Sequence, residues 1–386
     1  MPALEDLAGL VEAVAPDAVD LRRRLHSVPE PAHREVATTE LVSSALESAG
    51  ITFHRRVDKT GGWVDVGPDP RVGFRADLDA LPIHEPPDNS PRSQREGWMH
   101  ACGHDAHTAV AVGIAWTLNR LELDSGVRII FQPAEEANPG GAIELVSEGV
   151  VDDLRALLAF HVDPGLRVGR VGARSGPITG SADSIRIEIH GPGGHTSRPH
   201  TTVDLVEAAG RVVTELPAAI RGAIDPRSAI VIAFGSIHGG DAANVIPTNV
   251  VITGSVRTLD VEVWDSLPSL IDKNLGSILA MSGAGYTLDY RQGIPPVVND
   301  GRIVDIVSSA VEGELGPGVI VTTQQSMGGE DFSNYLSATD GALLRLGAAS
   351  GGGDLHSAGF KVNEDAVEFG IRAGVAAMLG LVESLD

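Results

Sequence analysis

Residues 99–109 place three histidines, an aspartate and the only cysteine of the chain within one short segment. Thiolate and imidazole are ligands that borderline-soft divalent metals prefer. Gly103 separates Cys102 from His104, so the backbone can bend both side chains toward one point. The apolar sequence that follows His107 is typical of a helix, which predicts that the cluster lies where a loop enters a helix. A buried structural cysteine among surface histidines is the alternative.

Later segments carry further side chains of the same chemistry. A buried strand is predicted at 127–131, just before Glu135 and Glu136. A short apolar run ends at His161, and His356 follows a glycine-rich loop. Sites in α/β sheets form at the carboxyl ends of strands. Cysteine, one glutamate and three histidines exceed the four ligands of a tetrahedral zinc, which indicates a two-metal centre with one bridging group.

With these motifs, the chain resembles the amidohydrolase branch of the aminoacylase and carboxypeptidase-like dinuclear metallohydrolases, which includes hippurate hydrolases and plant auxin-conjugate hydrolases. The matching motifs run in the family's order from Arg75 to Phe360. The resemblance implies two divalent ions per chain, with zinc, manganese, cobalt and nickel all left open. It implies five metal ligands: Cys102 in a bridging place, His104, Glu136, His161 and His356.

The same resemblance assigns roles to the carboxylates around the metals. Glu135 corresponds to the general base, and Asp79 corresponds to a carboxylate behind the metal site that orients ligands. From sequence alone, capping of a turn is an equal alternative for Asp79. Adjacent side chains on an extended segment point to opposite sides, so we expect Glu135 to face water while Glu136 binds metal.

A second region of the chain has a different pattern. Residues 184–190 alternate between apolar and polar, and the following order is strand, helix, strand, strand, helix, strand. This order is typical of the ferredoxin-like split βαβ arrangement. A chain of 386 residues exceeds what one core usually serves. We therefore predict an α/β fold with a mixed-sheet, α/β/α metallopeptidase-like catalytic domain (1–178 and 291–386) and an inserted ferredoxin-like α+β lid and dimerisation domain (179–290).

Individual elements follow from periodicity and from glycine and proline positions. Helices are predicted at 17–26, 35–49, 203–216, 261–281, 303–315 and 363–385, and the strands of the inserted domain at 184–190, 229–237, 250–259 and 286–290.

Three polar residues of the inserted domain match functional positions of the family. The resemblance implies that His195 donates a hydrogen bond to the tetrahedral oxyanion across a homodimer, and that Asn244 and Arg257 lie on the substrate side. Arginine binds carboxylates through two hydrogen bonds, although a strand-surface arginine is the alternative. Glu330 and Asp331 match a loop motif, and their role is left open.

The net charge and the residue composition limit the classes of partner and the cellular compartment that we expect. The formal charge of −23 argues against nucleic acid and anionic membranes. The N-terminus lacks the basic and apolar segments of a secretory signal, and a single cysteine allows no internal disulfide. We expect a soluble cytoplasmic protein, a homodimer or higher oligomer, with a small N-acyl amino acid or peptide-like substrate.

The leading hypothesis is metal-dependent hydrolysis of the amide bond of N-acyl amino acids. A dipeptidase or aminopeptidase on the same scaffold is the first alternative. A hydrolase with Cys102 as nucleophile beside His104 is the second, but it leaves Glu135, Glu136 and His356 unexplained. A non-catalytic binding protein is the third, and the complete ligand set argues against it.

Overall fold

The computed structural model describes residues 7–385, in which eight α-helices alternate with sixteen strands. The helices are α1 (Leu7–Ser27), α2 (Val36–Ser48), α3 (His104–Leu118), α4 (Gly141–Ser147), α5 (Leu205–Ala223), α6 (Val261–Ala280), α7 (Gly301–Leu315) and α8 (Asp365–Leu385). The strands are β1 (His54–Arg55), β2 (Gly62–Val66), β3 (Val72–Asp77), β4 (Val127–Gln132), β5 (Ala156–Asp163), β6 (Val171–Ala173), β7 (Gly176–Thr179), β8 (Ala182–His190), β9 (Gly194–His195), β10 (Ile230–His238), β11 (Val245–Ile246), β12 (Asn249–Thr258), β13 (Gly285–Ile294), β14 (Val297–Asn299), β15 (Ile320–Thr322) and β16 (Gly341–Gly347).

The chain forms two compact units. The first contains the residues up to Gly176, Val298–Gln324 and the residues from Asp331 onward. The second contains Pro177–Val297 and Gln325–Glu330. Each unit has a hydrophobic core of its own.

The first unit is built on one eight-stranded mixed sheet, in the order β1-β2-β4-β3-β5-β16-β6-β15. Its central strands β4, β3, β5 and β16 are mutually parallel, whereas β2 joins β4 antiparallel. Central parallel strands are covered on both faces, and β3 and β5 are accordingly buried almost throughout, although β3 includes Arg75 and Asp77. The mixed sheet confirms the predicted fold class. Strands β4 and β5 lead to Glu135 and His161, so the sheet brings these segments to one edge.

The second unit is an antiparallel sheet in the order β10-β12-β8-β13. With α5 and α6 between its strands, this is the ferredoxin-like order predicted from the sequence. Strand β8 follows the expected alternation, because Ile185, Ile187 and Ile189 are buried while Ser184 and Arg186 are exposed.

Two helix starts differ from the predictions. Helix α1 begins at Leu7 and includes Pro16, although we expected a helix only from residue 17. A proline inside a helix costs about 3 kcal/mol, but the extra turns bury Leu7, Val11 and Val14 in the core and offset this cost. Helix α3 begins at His104, one turn before the apolar run. Within residues 7–385, none of the helices combines the length and the hydropathy needed to cross a bilayer.

Candidate metal centre

The segment from Cys102 to His104 enters α3 through a left-handed glycine. Gly103 has φ +83°, and a Cβ built on it would lie 2.4 Å from Val162 Cγ2. Only glycine fits this conformation and this space. The bend brings Cys102, His104 and His161 together, with ligand atoms within 4.8 Å of one another, and Cys102 Sγ lies 3.4 Å from His161 Nε2.

A second group of donors shares the same cysteine. Ligand atoms of Cys102, Glu136 and His356 also lie within 4.8 Å of one another. His356 Nε2 lies 3.3 Å from Cys102 Sγ and 3.1 Å from Glu136 Oε1. All five predicted ligands therefore meet at one place in the first unit, and Cys102 Sγ belongs to both groups.

Hydrogen bonds orient the imidazoles toward this centre. His104 Nδ1 donates to the Asp79 carbonyl at 2.9 Å, and His161 Nδ1 donates to the Val162 carbonyl at 2.8 Å. A carbonyl oxygen can only accept, so in each neutral ring Nε2 carries the free lone pair. His104 Nε2 is buried and has no hydrogen-bond partner in the described structure.

His107, the second histidine after the cysteine, is excluded as a ligand by its own contacts. Its Nδ1 donates to Asp77 Oδ1 at 2.7 Å, and its Nε2 accepts the Val162 N–H at 2.8 Å. Both ring nitrogens are therefore occupied. Asp77 also pairs with Arg75 at 2.7 Å, so these residues support the strand that carries His161 and do not bind metal.

The electrostatics of the centre suit a divalent cation. Burial raises the pKa of the Cys102 thiol to about 12, so a thiolate there needs a neighbouring positive charge. Burial lowers the pKa of His161 well below its ordinary value and keeps the ring neutral. Sulfur, neutral imidazole nitrogen and carboxylate oxygen are the donors of zinc and related ions. The buried, unpartnered His104 Nε2 and this donor set fit two divalent ions.

The segment carrying the adjacent glutamates differs from the prediction. Residues 135–136 form a turn, not an extended segment, and Ala134 before them has φ +56°. Carboxylate oxygens of Glu135 and Glu136 lie within 4.8 Å of each other and of a His104 ring nitrogen. The expectation that the two side chains point to opposite sides is therefore wrong, because the turn makes them converge.

Asp79 has a defined place behind the turn. Its carboxylate accepts the Glu135 N–H at 3.0 Å and the Glu136 N–H at 2.9 Å, and its carbonyl holds His104. A single buried residue thus contacts the segments that carry three of the proposed site residues.

The three polar residues of the second unit occupy two places within it. His195 and Asn244 are neighbours, since β9 pairs with β11 and the Thr196 N–H donates to the Asn244 carbonyl at 3.2 Å. His195 is exposed, and its Nδ1 accepts the Ser197 N–H at 3.1 Å. In a neutral ring Nε2 is then the donor. Arg257 lies on β12, where its guanidinium donates to the Met327 carbonyl at 2.7 Å.

Sequence reasoning assigned no role to several buried charged residues around the centre. Asp331 accepts hydrogen bonds from Arg75 at 2.9 Å, from Gln132 and from the Ala142 N–H at the start of α4. Glu35 accepts the Ala134 N–H at 2.7 Å. The arginine within the strand 72–77 and the loop motif at Glu330 and Asp331 were the signals in the sequence for this buried network.

Comparisons with known proteins find relatives that match most of the chain. The profile of Peptidase family M20/M25/M40 matches residues 73–380. The N-acetyl-L-cysteine deacetylase of Bacillus subtilis is 34% identical over 90% of this chain and 84% of its own length. The IAA-amino acid hydrolase ILR1-like 4 of Arabidopsis thaliana is 35% identical over 91% of this chain and 82% of its own length.

Two further similarities bear on length and fold. A Rhodococcus jostii protein named glutamate–cysteine ligase 2-3 is 40% identical over 93% of this chain, but the chain spans only 46% of that longer protein. The crystal structure of the Bacillus subtilis YXEP protein, described as a dinuclear metal binding peptidase from the M20 family, superposes with a TM-score of 0.85. It is 31% identical and covers 97% of this chain and 99% of its own.

Proposed function

The chain belongs to peptidase family M20/M25/M40 and is a hydrolase of amide bonds, and we propose that its substrates are N-acyl amino acids or related conjugates. The observation that carries this proposal is the position of Cys102 Sγ, which belongs to both donor groups. The deacetylase and conjugate hydrolase named above support the substrate class.

The metal-binding roles follow from the two donor groups. We assign His104 and His161 to one ion, Glu136 and His356 to the other, and Cys102 to both. When bound, such ions act as Lewis acids and lower the pKa of water to about 7. Zinc, manganese, cobalt and nickel all accept these donors.

We assign proton transfer to Glu135. Glu135 is 8% exposed. Its carboxylate lies close to His104 and Glu136, but it belongs to neither of the two donor groups that contain Cys102. It accepts a proton from the attacking water and later donates it to the nitrogen of the leaving amine. The C–N bond breaks, and a carboxylic acid and a free amino acid leave.

The second unit supplies groups toward the substrate in this proposal. Residues 179–290 act as lid and dimerisation domain, and His195 of one subunit stabilises the oxyanion in the centre of the other. The Nε2–H tautomer expected for His195 supports this role. Asn244 and Arg257 contact the substrate, and the Arg257 guanidinium binds the carboxylate of the substrate. The thiol ligand must remain reduced, which favours the cytoplasm.

The test combines metal removal with a substrate panel. Metal-loaded protein is assayed on N-acetyl and N-benzoyl amino acids and on dipeptides, before and after exhaustive chelation. We expect the acyl amino acids to be cleaved faster, and the activity to disappear with the metal and return on reconstitution. A preference for dipeptides would favour a peptidase. Activity that survives chelation but not thiol alkylation would establish Cys102 as a nucleophile.

A further inference from the structure

The turn between β4 and the two glutamates presents three successive backbone N–H groups to buried carboxylates. The Ala134 N–H donates to Glu35 Oε1 at 2.7 Å, and those of Glu135 and Glu136 donate to Asp79 at 3.0 and 2.9 Å. Consecutive amides arranged around an anion form a concave binding site called a nest. Here the anions are two carboxylates of the protein itself: Glu35 accepts the first amide, and Asp79 accepts the other two.

Of these two carboxylates, Glu35 is the one that makes no hydrogen bond to a proposed metal ligand. It is fully buried, and it lies just before α2, 99 residues from Ala134 in the sequence. Its Oε1 also accepts the His33 N–H at 3.0 Å, and its Oε2 accepts the Thr60 hydroxyl at 2.6 Å. One side chain thus joins three segments that are distant in sequence.

The amide that Glu35 accepts belongs to the left-handed residue of the turn. Pro133 is confined, because a Cβ on Gly61 would lie 2.6 Å from Pro133 Cδ and one on Gly141 would lie 1.9 Å from its carbonyl oxygen. Asp79 holds the amides after the turn. Ala134 between them has φ +56°, in the left-handed region that L-residues other than asparagine and aspartate rarely adopt.

We propose that Glu35 is a positioning residue for the catalytic pair: by accepting the Ala134 N–H it holds the left-handed turn that directs Glu135 and Glu136 toward the metal centre. The inference rests on the proposed function for the roles of the two glutamates. Rotation at Ala134 would move both carboxylates together, because they follow it directly in the chain.

The test compares Glu35→Leu with Glu35→Gln. Leucine removes every acceptor, whereas glutamine keeps an oxygen for the two amides and offers its NH₂ to the Thr60 oxygen. We expect Glu35→Leu to lower kcat about a hundredfold, the scale of a 1 Å misplacement in an active site, with KM nearly unchanged. Glu35→Gln should stay within about threefold of the parent in kcat, since it preserves the acceptor.

Metal content is the second readout and needs no substrate. Glu35→Leu should lose or weaken the ion held by Glu136 and His356 and keep the ion held by His104 and His161. Elemental analysis gives the stoichiometry, and the absorption of Co²⁺-substituted protein reports the thiolate. If the parent hydrolyses no amide, the proposed function fails, while this readout still decides the role of Glu35.

Two further variants separate positioning from stability. Ala134→Gly in the Glu35→Leu background adopts positive φ without a Cβ penalty, so it should recover about tenfold in kcat without recovering Tm. Glu30→Leu is the matched control, because Glu30 is also buried and binds the Thr38 N–H at 2.8 Å, away from the turn. The inference is overturned if Glu35→Leu keeps both ions and its kcat, or if Glu30→Leu lowers kcat equally at an equal loss of Tm.

Discussion

His26 offers a stability prediction that can be worked out from the structure. The ring is 4% exposed, and it donates from Nδ1 to Asp105 Oδ2 at 2.9 Å and from Nε2 to Glu85 Oε1 at 3.1 Å. Arg22 Nε approaches the same Asp105 oxygen at 2.7 Å. Burial lowers the pKa of His26, but the two carboxylates outweigh burial and raise it to about 9.

The sign and size of the effect follow from this pKa. Because the folded pKa lies above the ordinary value of 6.5, the charged ring stabilises the folded state. This contribution is fully present below pH 6.5 and is lost as the pH rises through about 9. At about 1.4 kcal/mol per pH unit, it amounts to about 3 kcal/mol.

The assay measures the free energy of unfolding in urea for the parent and for His26→Gln, at equal metal content, in half-unit steps from pH 6.5 to 9.5. The difference between the two proteins should fall by about 1.4 kcal/mol per pH unit between about pH 7 and 8.5 and level off above about pH 9. His84→Gln, which removes an exposed histidine next to Glu85, should show no such slope. A difference that stays flat with pH would mean that the folded protein holds His26 neutral, and the argument would be refuted.

Three further predictions concern the centre itself. Cys102→Ala should lose both ions, whereas His161→Ala and His356→Ala should each lose one, because only the sulfur belongs to both donor groups; equal metal loss in all three would contradict a bridging sulfur. Glu135→Ala should keep its metal and lose at least about a hundredfold in kcat, the scale of general-base catalysis, whereas Glu136→Ala should lose metal as well; equal metal content in both would show that the roles are misassigned. Inactive Glu135→Ala and His195→Ala chains, refolded together, should recover about a quarter of the parent activity, since half of randomly assembled dimers are mixed and one of their two sites is intact; verified mixed dimers without activity would exclude His195 acting across subunits.

Much of the centre could be predicted because the chemistry and spacing of its ligands are local properties. Cys102, Gly103 and His104 indicate a metal ligand pair without reference to the rest of the chain. The apolar runs before Glu135 and His161 indicate strands, and the carboxyl ends of strands in such sheets meet at one edge. Strict alternation likewise identified β8, because successive side chains of a strand point to opposite faces.

Tertiary structure decided what depends on partners far apart in the chain. The sequence suggested an extended Glu135–Glu136 segment, but Ala134 takes a left-handed conformation whose amide meets Glu35, 99 residues away. His26 carries its charge because folding brings Asp105, 79 residues away, to its ring. Side-chain periodicity and ligand chemistry can be deduced along the chain, whereas the partner of a buried amide or imidazole exists only once packing has removed water from both groups.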